Sequence, residues 1–372
     1  MAIEVAEIFH RYGKEYRQKY GTRMPARHHQ AMRAIEQCRT EVLGGQVYRC
    51  PDCEHALYSY HSCRNRHCPK CQNKTAQSWL EKQEAALLPV PYFLLTFTLP
   101  KELRAVARSH QQLIYNLLFR ISAAASQKLA ADPRFIGGKL GMMGVLHTWG
   151  RTLIYHPHVH YLVSAGGLAP DGKTWLPARK NFLLPVRALS RIFRGKFHQA
   201  LRNEGIYSLI PPKVWTEDWV VHCEPVGSGV GALKYLAPYI FRVAISNNRI
   251  LKLEQDRVTF RYRDTATGKE RCCTLSAQEF IRRFLQHVLP KGFVKVRYYG
   301  LFSPGLRKSL KTLRRSIALS QKLDDLVVTS IQQEETHTKK DKSKAPLSIP
   351  CPICGCAMQP DLMIIFSGHD PP

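Results

Sequence analysis

The sequence predicts an α+β fold, and three features carry that expectation. Between residues 89 and 303, short runs of β-forming residues alternate with stretches of helical periodicity. From Tyr48 to Gln72 the apolar periodicity fails, and cysteine, histidine, proline and arginine take its place. Beyond Gly305 the chain turns basic and then polar. These changes of character divide the 372 residues into three parts, 1–88, 89–303 and 304–372, in keeping with roughly 150 residues per domain.

Residues 1–40 read as helical, because Val5, Ile8, Phe9 and Tyr16, then Ala31, Ile35 and Cys38, recur near helical spacing. The basic residues there suit either phosphate contact or a solvated face. The segment from Tyr48 to Gln72 has too little apolar material to hold itself together. Thr75 to Leu88 returns to helical periodicity, and Pro89 and Pro91 then break the chain ahead of a strand at Tyr92 to Leu99. The expected order continues with a helix from Lys101 to Ala131, strands at Met142 to Trp149 and His158 to Ser164, and a basic helix from Val186 to Arg202. A strand at Trp219 to Cys223 and a short helix holding Tyr235 and Tyr239 follow. Ile250 to Leu253 and Val258 to Tyr262 form a hairpin, and Ser276 to Val288 forms a helix. A basic helical segment carries Arg307 to Lys322, and the run from Gln332 to Lys344 is too polar to bury a core.

Charge narrows the function. Lysine and arginine number 55 against 28 acidic residues, a net +27, and self-repulsion of that size calls for a polyanionic partner, with nucleic acid foremost. The apolar stretch Pro91 to Leu99 is far short of the ~20 residues of a membrane span. The opening residues lack the basic and apolar regions of a secretory signal. The expected location is the cytosol. In a reducing compartment the 12 cysteines point to metal rather than disulfides.

Cys50-Pro-Asp-Cys53 and Cys68-Pro-Lys-Cys71 are two C-x-x-C knuckles. Two thiolates on a tight turn grip one side of a tetrahedral Zn²⁺, and a second such turn completes it. Cys50, Cys53, Cys68 and Cys71 are therefore the expected zinc ligands. Cys63, His67, His61 and His55 are spare donors that leave either one or two ions open. Arg64, Arg66, Lys70 and Lys74 would surround this module with positive charge. At the far end, Cys351-Pro-Ile-Cys354-Gly-Cys356 is a half-site, completed by His369, by a partner chain, or not at all.

Tyr155-His-Pro-His-Val-His-Tyr-Leu-Val163 is the most informative segment. On a strand, alternation sends His158 and His160 to one face. Such a pair serves either as ligands of a divalent ion or as hydrogen-bonded core residues. Tyr235 and Tyr239, four apart on a helix, share a face and read either as core aromatics or as nucleophiles.

The combination of these knuckles with Ser62-Cys-Arg-Asn-Arg-His-Cys-Pro-Lys-Cys71, Tyr155-His-Pro-His-Val-His160, Tyr235-Leu-Ala-Pro-Tyr239 and Val243-Ala-Ile-Ser-Asn247 resembles the IS91 family of transposases. The resemblance runs from about Arg27 to Gly300. It implies a small zinc-binding domain, then an HUH endonuclease domain (His-hydrophobe-His) with a central antiparallel sheet flanked by helices, and rolling-circle-like transposition in the bacterial cytosol. Carried over by residue, it makes His158 and His160 ligands of a catalytic Mg²⁺ or Mn²⁺ and Tyr235 and Tyr239 the nucleophile pair. His147 is the favoured third ligand, since a neighbouring strand can present it to the same face, with His222 the weaker choice.

The implied chemistry is a metal-assisted attack by tyrosine on a phosphodiester, leaving a 5′-phosphotyrosine and a free 3′-OH. The expected partner is DNA, single-stranded or locally melted at the element ends. Trp149, Tyr155, Tyr161 and Phe241 are available for stacking, and Arg64, Arg66, Lys234, Arg242 and Arg249 for phosphate, with core and rim an equal reading of the stacking set and of Lys234, Arg242 and Arg249. A plasmid replication initiator or relaxase shares this chemistry, and a zinc-dependent regulator that binds nucleic acid without cutting it is the rival from another class. Neither the metal used nor the oligomeric state is fixed by the sequence.

Overall fold

Two amphipathic helices open the chain, α1 (Val5–Tyr20) and α2 (Ala26–Gln37). Each buries one stripe, Val5, Ile8, Phe9 and Tyr16 on α1 and Ala31, Met32 and Ile35 on α2. They are two helices rather than one because a tight turn at Gly21–Arg23 and the N-cap residue Pro25 intervene. The computed structural model describes residues 3–71, 73–241, 244–264, 267–328 and 349–364. The polar run 332–344, Arg242 and His369 lie outside the described residues.

A hairpin of β1 (Gly45–Arg49) and β2 (Ala56–Tyr60) follows, then α3 (Asn73–Ala86) and β3 (Tyr92–Thr98). The expected helix from Lys101 to Ala131 divides into α4 (Arg104–Ser109) and α5 (Gln111–Ala130), because His110 leaves helical geometry at φ −120°. Next come β4 (Lys139–Trp149), β5 (Tyr155–Leu168), β6 (Trp175–Pro177), α6 (Val186–Asn203), β7 (Val221–Pro225) and α7 (Val230–Phe241). The chain continues through β8 (Ile250–Glu254), β9 (Arg257–Arg263), β10 (Glu270–Ser276), α8 (Ala277–Leu285), β11 (Val296–Gly300) and α9 (Arg307–Val328). It ends on β12 (Ile349–Pro350) and β13 (Ala357–Ile364).

The central sheet runs β11-β4-β5-β3-β7, with β6 on the far end of β5, and its pairings are antiparallel. Alternation along β5 decides what each face does. Val159, Tyr161 and Val163 join Phe93, Leu95 and Phe97 beneath Phe119 of α5 and Phe193 and Phe197 of α6. Each such side chain contributes roughly 1.5–3 kcal/mol of burial. Tyr161 is fully buried there; its hydroxyl donates to the Phe119 carbonyl at 2.9 Å and lies 2.8 Å from the Ser122 hydroxyl. Its ring lies against β4 only because residue 144 is glycine, where a Cβ would sit 2.5 Å from a ring carbon.

The opposite face begins apolar. Leu94, Met143, Val145 and Leu162 pack under Leu233 and Leu236 of α7 and Leu313 and Ile317 of α9. Moving along β5 from Leu162 toward its start, the same face carries His160, His158 and His156. The residue that ends the apolar cover is thus followed directly by imidazoles.

A second sheet, β10-β9-β8, packs with α8 onto α1, where the Phe9 and Phe284 rings meet edge-on at 5.3 Å. Ser276 caps α8, its hydroxyl accepting from the Glu279 N–H. A third sheet, β12-β13-β1-β2, joins the first and last strands of the chain. The fold is α+β, with antiparallel sheets flanked by helices. Among the described residues no helix is long and apolar enough to cross a membrane.

Candidate metal and nucleophile site

Strand register builds the site. His147 on β4 lies directly opposite His158 on β5, and His160 lies between Val145 on one side and Thr96 of β3 on the other. Directly paired residues share a face, so His147, His158 and His160 converge. Their rings are 5.2, 4.5 and 4.9 Å apart, centroid to centroid. One nitrogen from each lies within 4.8 Å of the others.

The hydrogen bonds around them leave lone pairs for a shared ion. His158 Nδ1–H donates to the His156 carbonyl at 2.6 Å, which leaves Nε2 of that ring as its lone-pair nitrogen. His160 Nδ1 lies 2.8 Å from the Thr96 hydroxyl. Burial holds all three imidazoles neutral: His147 and His158 fall well below the ordinary histidine pKa, and His160 falls to about 4. Neighbouring imidazoles depress them further, with His222 acting on His160. Lys295, itself lowered to about 7 by burial and by Arg66, adds to the effect on His147. Neutral imidazole is the form that binds a divalent ion.

His156 stands beside the triad but is held apart, its Nδ1 accepting from Arg104 at 2.8 Å. His222 of β7 pairs with Thr96 and is exposed; the group within mutual reach is His147, His158 and His160. Tyr235 of α7 places its ring 6.3 Å from that of His160, nearly perpendicular, with 47% of the residue exposed. Tyr239 follows one turn later on α7, and its side chain lies outside the described residues.

Among the other candidate contacts, the core-and-rim alternative describes several. Tyr161 is core, Tyr155 is buried with its hydroxyl 2.6 Å from that of Tyr115, and Trp149 is buried against His147. The apolar core takes these rings and leaves little of their faces exposed. The Phe241 side chain lies outside the described residues. Arg66 donates to the Phe293 carbonyl at 2.8 Å, and Arg249 donates to the Arg261 and Arg151 carbonyls at 2.9 and 2.8 Å. Both guanidiniums therefore fasten segments of chain together. Arg64 and Lys234 are exposed.

The two N-terminal knuckles do not share one site. Cys68 and Cys71 group with Cys63 and with Cys38, which follows α2, while Cys50 and Cys53 lie with Cys351 and Cys354. The physical reason is that the β1–β2 hairpin carries Cys50 and Cys53 to its outer end, whereas Cys68 and Cys71 are buried in the core under α1 and α2. His67 is no ligand in this arrangement: its Nε2 accepts from the Leu289 N–H at 3.1 Å, leaving Nδ1–H for Asn65. Cys38 escaped sequence reading because it continues a helical apolar repeat. Thr96 carried no signal until its register against His160 was known.

A profile described as "Transposase zinc-binding domain" matches residues 8–99, and one described as "Putative transposase" matches residues 141–310. Putative transposase y4qJ of Sinorhizobium fredii is 42% identical over 325 residues, covering 82% of this chain and 81% of that protein. The transposase for insertion sequence element IS801 of Pseudomonas savastanoi pv. phaseolicola is 31% identical over 287 residues, covering 72% and 68%. No solved structure matches the chain significantly. These matches, together with the clustered thiols, place the chain among transposases, enzymes that cut and transfer DNA. The chain belongs to the IS91 family of transposases.

Proposed function

We propose that this transposase nicks and rejoins single DNA strands through the Tyr235 phenol, on an HUH-type fold, in rolling-circle-like transposition. The observation that carries the reading is the position of Tyr235 beside His160, at the edge of three converging neutral imidazoles. The donor set fits a divalent cation, since His147 is buried, His158 and His160 are half-buried and oriented by the His156 carbonyl and the Thr96 hydroxyl, and all three imidazoles are neutral. These three would hold Mg²⁺ or Mn²⁺, which when bound supplies positive charge opposite the scissile phosphate.

The chain's own residues do the rest. The exposure of Tyr235 leaves room for a nucleic-acid backbone to approach its oxygen. That oxygen attacks phosphorus, a new O–P bond forms, and the P–O3′ bond breaks. The phenolic proton passes to solvent and the departing 3′ oxygen takes one up. The 5′-phosphotyrosyl ester retains the energy of the broken bond, so a 3′-OH from another strand reverses the step and joins DNA without ATP. A single strand, or a locally melted end, suits an attack that must reach one backbone. Lys234, next to the nucleophile, and Arg64 are exposed cations of the expected set that suit phosphate contact, as is the exposed Arg66 beyond its bond to the Phe293 carbonyl. Tyr239, one turn on, either serves a second cleavage in the same way or positions DNA, and the separate substitutions distinguish the two.

The test uses labelled single-stranded oligonucleotides from candidate element ends, with Mg²⁺ or Mn²⁺, on a denaturing gel. Tyr235→Phe and Tyr239→Phe are assayed separately. Protein-linked DNA that disappears in Tyr235→Phe supports the proposal, and undiminished cleavage by the double variant refutes it.

A further inference from the structure

The thiols of Cys50, Cys53, Cys351 and Cys354 come from opposite ends of the chain, and the zinc-binding profile, which ends at residue 99, covers only the first two. Their two knuckles are built alike. In the first, the Cys50 N–H donates to the His55 carbonyl at 2.9 Å and the Glu54 N–H to the Cys50 carbonyl at 3.0 Å. In the second, the Cys351 N–H donates to the Cys356 carbonyl at 2.7 Å and the Gly355 N–H to the Cys351 carbonyl at 2.9 Å. The residue after the second cysteine is left-handed in both, Glu54 at φ 55° and Gly355 at φ 79°. Both read Cys-Pro-x-Cys. This turn directs two sulfurs and nearby N–H groups to one point, the arrangement that holds a thiolate pair on a metal.

The knuckles face one another. Sγ distances are 3.4 Å for Cys50–Cys354, 3.5 Å for Cys53–Cys351 and 3.6 Å for Cys53–Cys354. These are far beyond the ~2.05 Å of a disulfide and close to the roughly 3.8 Å edge of a tetrahedron with ~2.3 Å Zn–S bonds. The backbone continues the match. β13 pairs antiparallel with β1 from Gly45↔Ile364 to Arg49↔Gln359, and Arg49 donates to Asp361 at 2.8 Å. Beneath the thiols the apolar support is small, Met358 with Tyr48, Leu57 and Ile349. A module this thin needs a metal to hold it.

We infer that the two ends of the chain fold together as one zinc ribbon, in which Cys50, Cys53, Cys351 and Cys354 bind a single Zn²⁺ separate from that of Cys38, Cys63, Cys68 and Cys71. The C-terminal segment is then part of the N-terminal module, and neither half completes this site alone.

Zinc per chain is measured by elemental mass spectrometry on the full-length protein and on Cys50→Ser/Cys53→Ser, Cys351→Ser/Cys354→Ser and the quadruple variant. Each pair should lose one zinc, and the quadruple variant should lose the same one and no more. A loss of two zincs from the quadruple variant, or none from Cys351→Ser/Cys354→Ser, overturns the inference. A measurement on unaltered protein guards against misfolded variants. During graded chelation, alkylation mapped by mass spectrometry should find Cys50, Cys53, Cys351 and Cys354 exposed in one step. Labelling of Cys351 and Cys354 while Cys50 and Cys53 stay protected overturns it as well. Zinc content is independent of DNA cleavage, so this result stands or falls apart from the nuclease proposal.

Discussion

Thr96→Val isolates the contribution of the partner that orients a proposed metal ligand. Thr96 faces His160 across the β3–β5 pairing, with its hydroxyl 2.8 Å from Nδ1. For Nε2 to face the ion, Nδ1 must carry the proton and the hydroxyl must accept it. Valine preserves the branched shape on a strand that favours it and removes only the acceptor. A buried N–H left without its acceptor costs about 1–3 kcal/mol, and loss of such an orienting bond typically weakens metal binding or activity about 10–100-fold. The two figures agree, since 1.4 kcal/mol is about tenfold. The assay is a Mn²⁺ titration of strand nicking, with the unfolding midpoint followed in parallel. The half-saturating Mn²⁺ concentration should rise at least tenfold, with saturating metal restoring much of the activity. An unchanged metal requirement in a normally folded variant would refute the role given to Thr96 and weaken the case that His160 binds through Nε2.

Other outcomes follow from the same geometry. His147→Ala removes the third imidazole of the triad and should lower metal-dependent nicking at least tenfold while DNA binding persists; unaltered nicking would remove His147 from the site. His287 is buried, donates from Nε2 to the Leu153 carbonyl at 3.1 Å, and has its pKa pushed down to about 3 by burial. The unfolded chain therefore takes up this proton first as pH falls, so its contribution is complete above about 6.5 and lost between there and about 3, amounting to about 2 kcal/mol at pH 5. Urea midpoints should fall from pH 7 to pH 5, and less so in His287→Phe; a flat profile would contradict this. Cys38→Ser should release the zinc shared with Cys63, Cys68 and Cys71, read as one zinc lost per chain. The net charge of +27 predicts that the logarithm of the affinity for DNA falls steeply and linearly with the logarithm of salt concentration, measured by anisotropy between about 50 and 200 mM.

Much of this was legible in the sequence, for identifiable reasons. The alternation of His158 and His160 survives in the structure because β5 is a regular strand with one face on the core. His147 required knowledge of a neighbouring strand's register, yet its placement followed from the expectation that the two strands lie side by side. The thiol pairing was not legible. Cys50–Cys53 and Cys68–Cys71 are neighbours in sequence, but their partners lie up to 304 residues away, a separation that spacing rules do not see. Three Cys-Pro-x-Cys knuckles plus the lone Cys38 and Cys63 add up to two sets of four, a signal visible only once the C-terminal knuckle is counted with the N-terminal ones. Strand β10 was missed because Glu270, Arg271 and Thr274 break its apolar pattern, and β13 because Gln359, Pro360 and Asp361 interrupt its apolar residues; both owe their form to pairing with a partner strand. Arg66 and Arg249 show a second limit, since sequence displays a charge but not the backbone carbonyl that claims it.

The most direct test of the account is to locate the covalent bond. Trypsin cleaves after Lys234 and Arg242, releasing Tyr235-Leu-Ala-Pro-Tyr-Ile-Phe-Arg242 with both tyrosines on one peptide. After reaction with a short single-stranded substrate and Mn²⁺, nuclease trimming and fragmentation mass spectrometry should find a nucleotide esterified to the Tyr235 oxygen. Cleaved DNA with no nucleotide on this peptide, or with the adduct elsewhere in the chain, would contradict it.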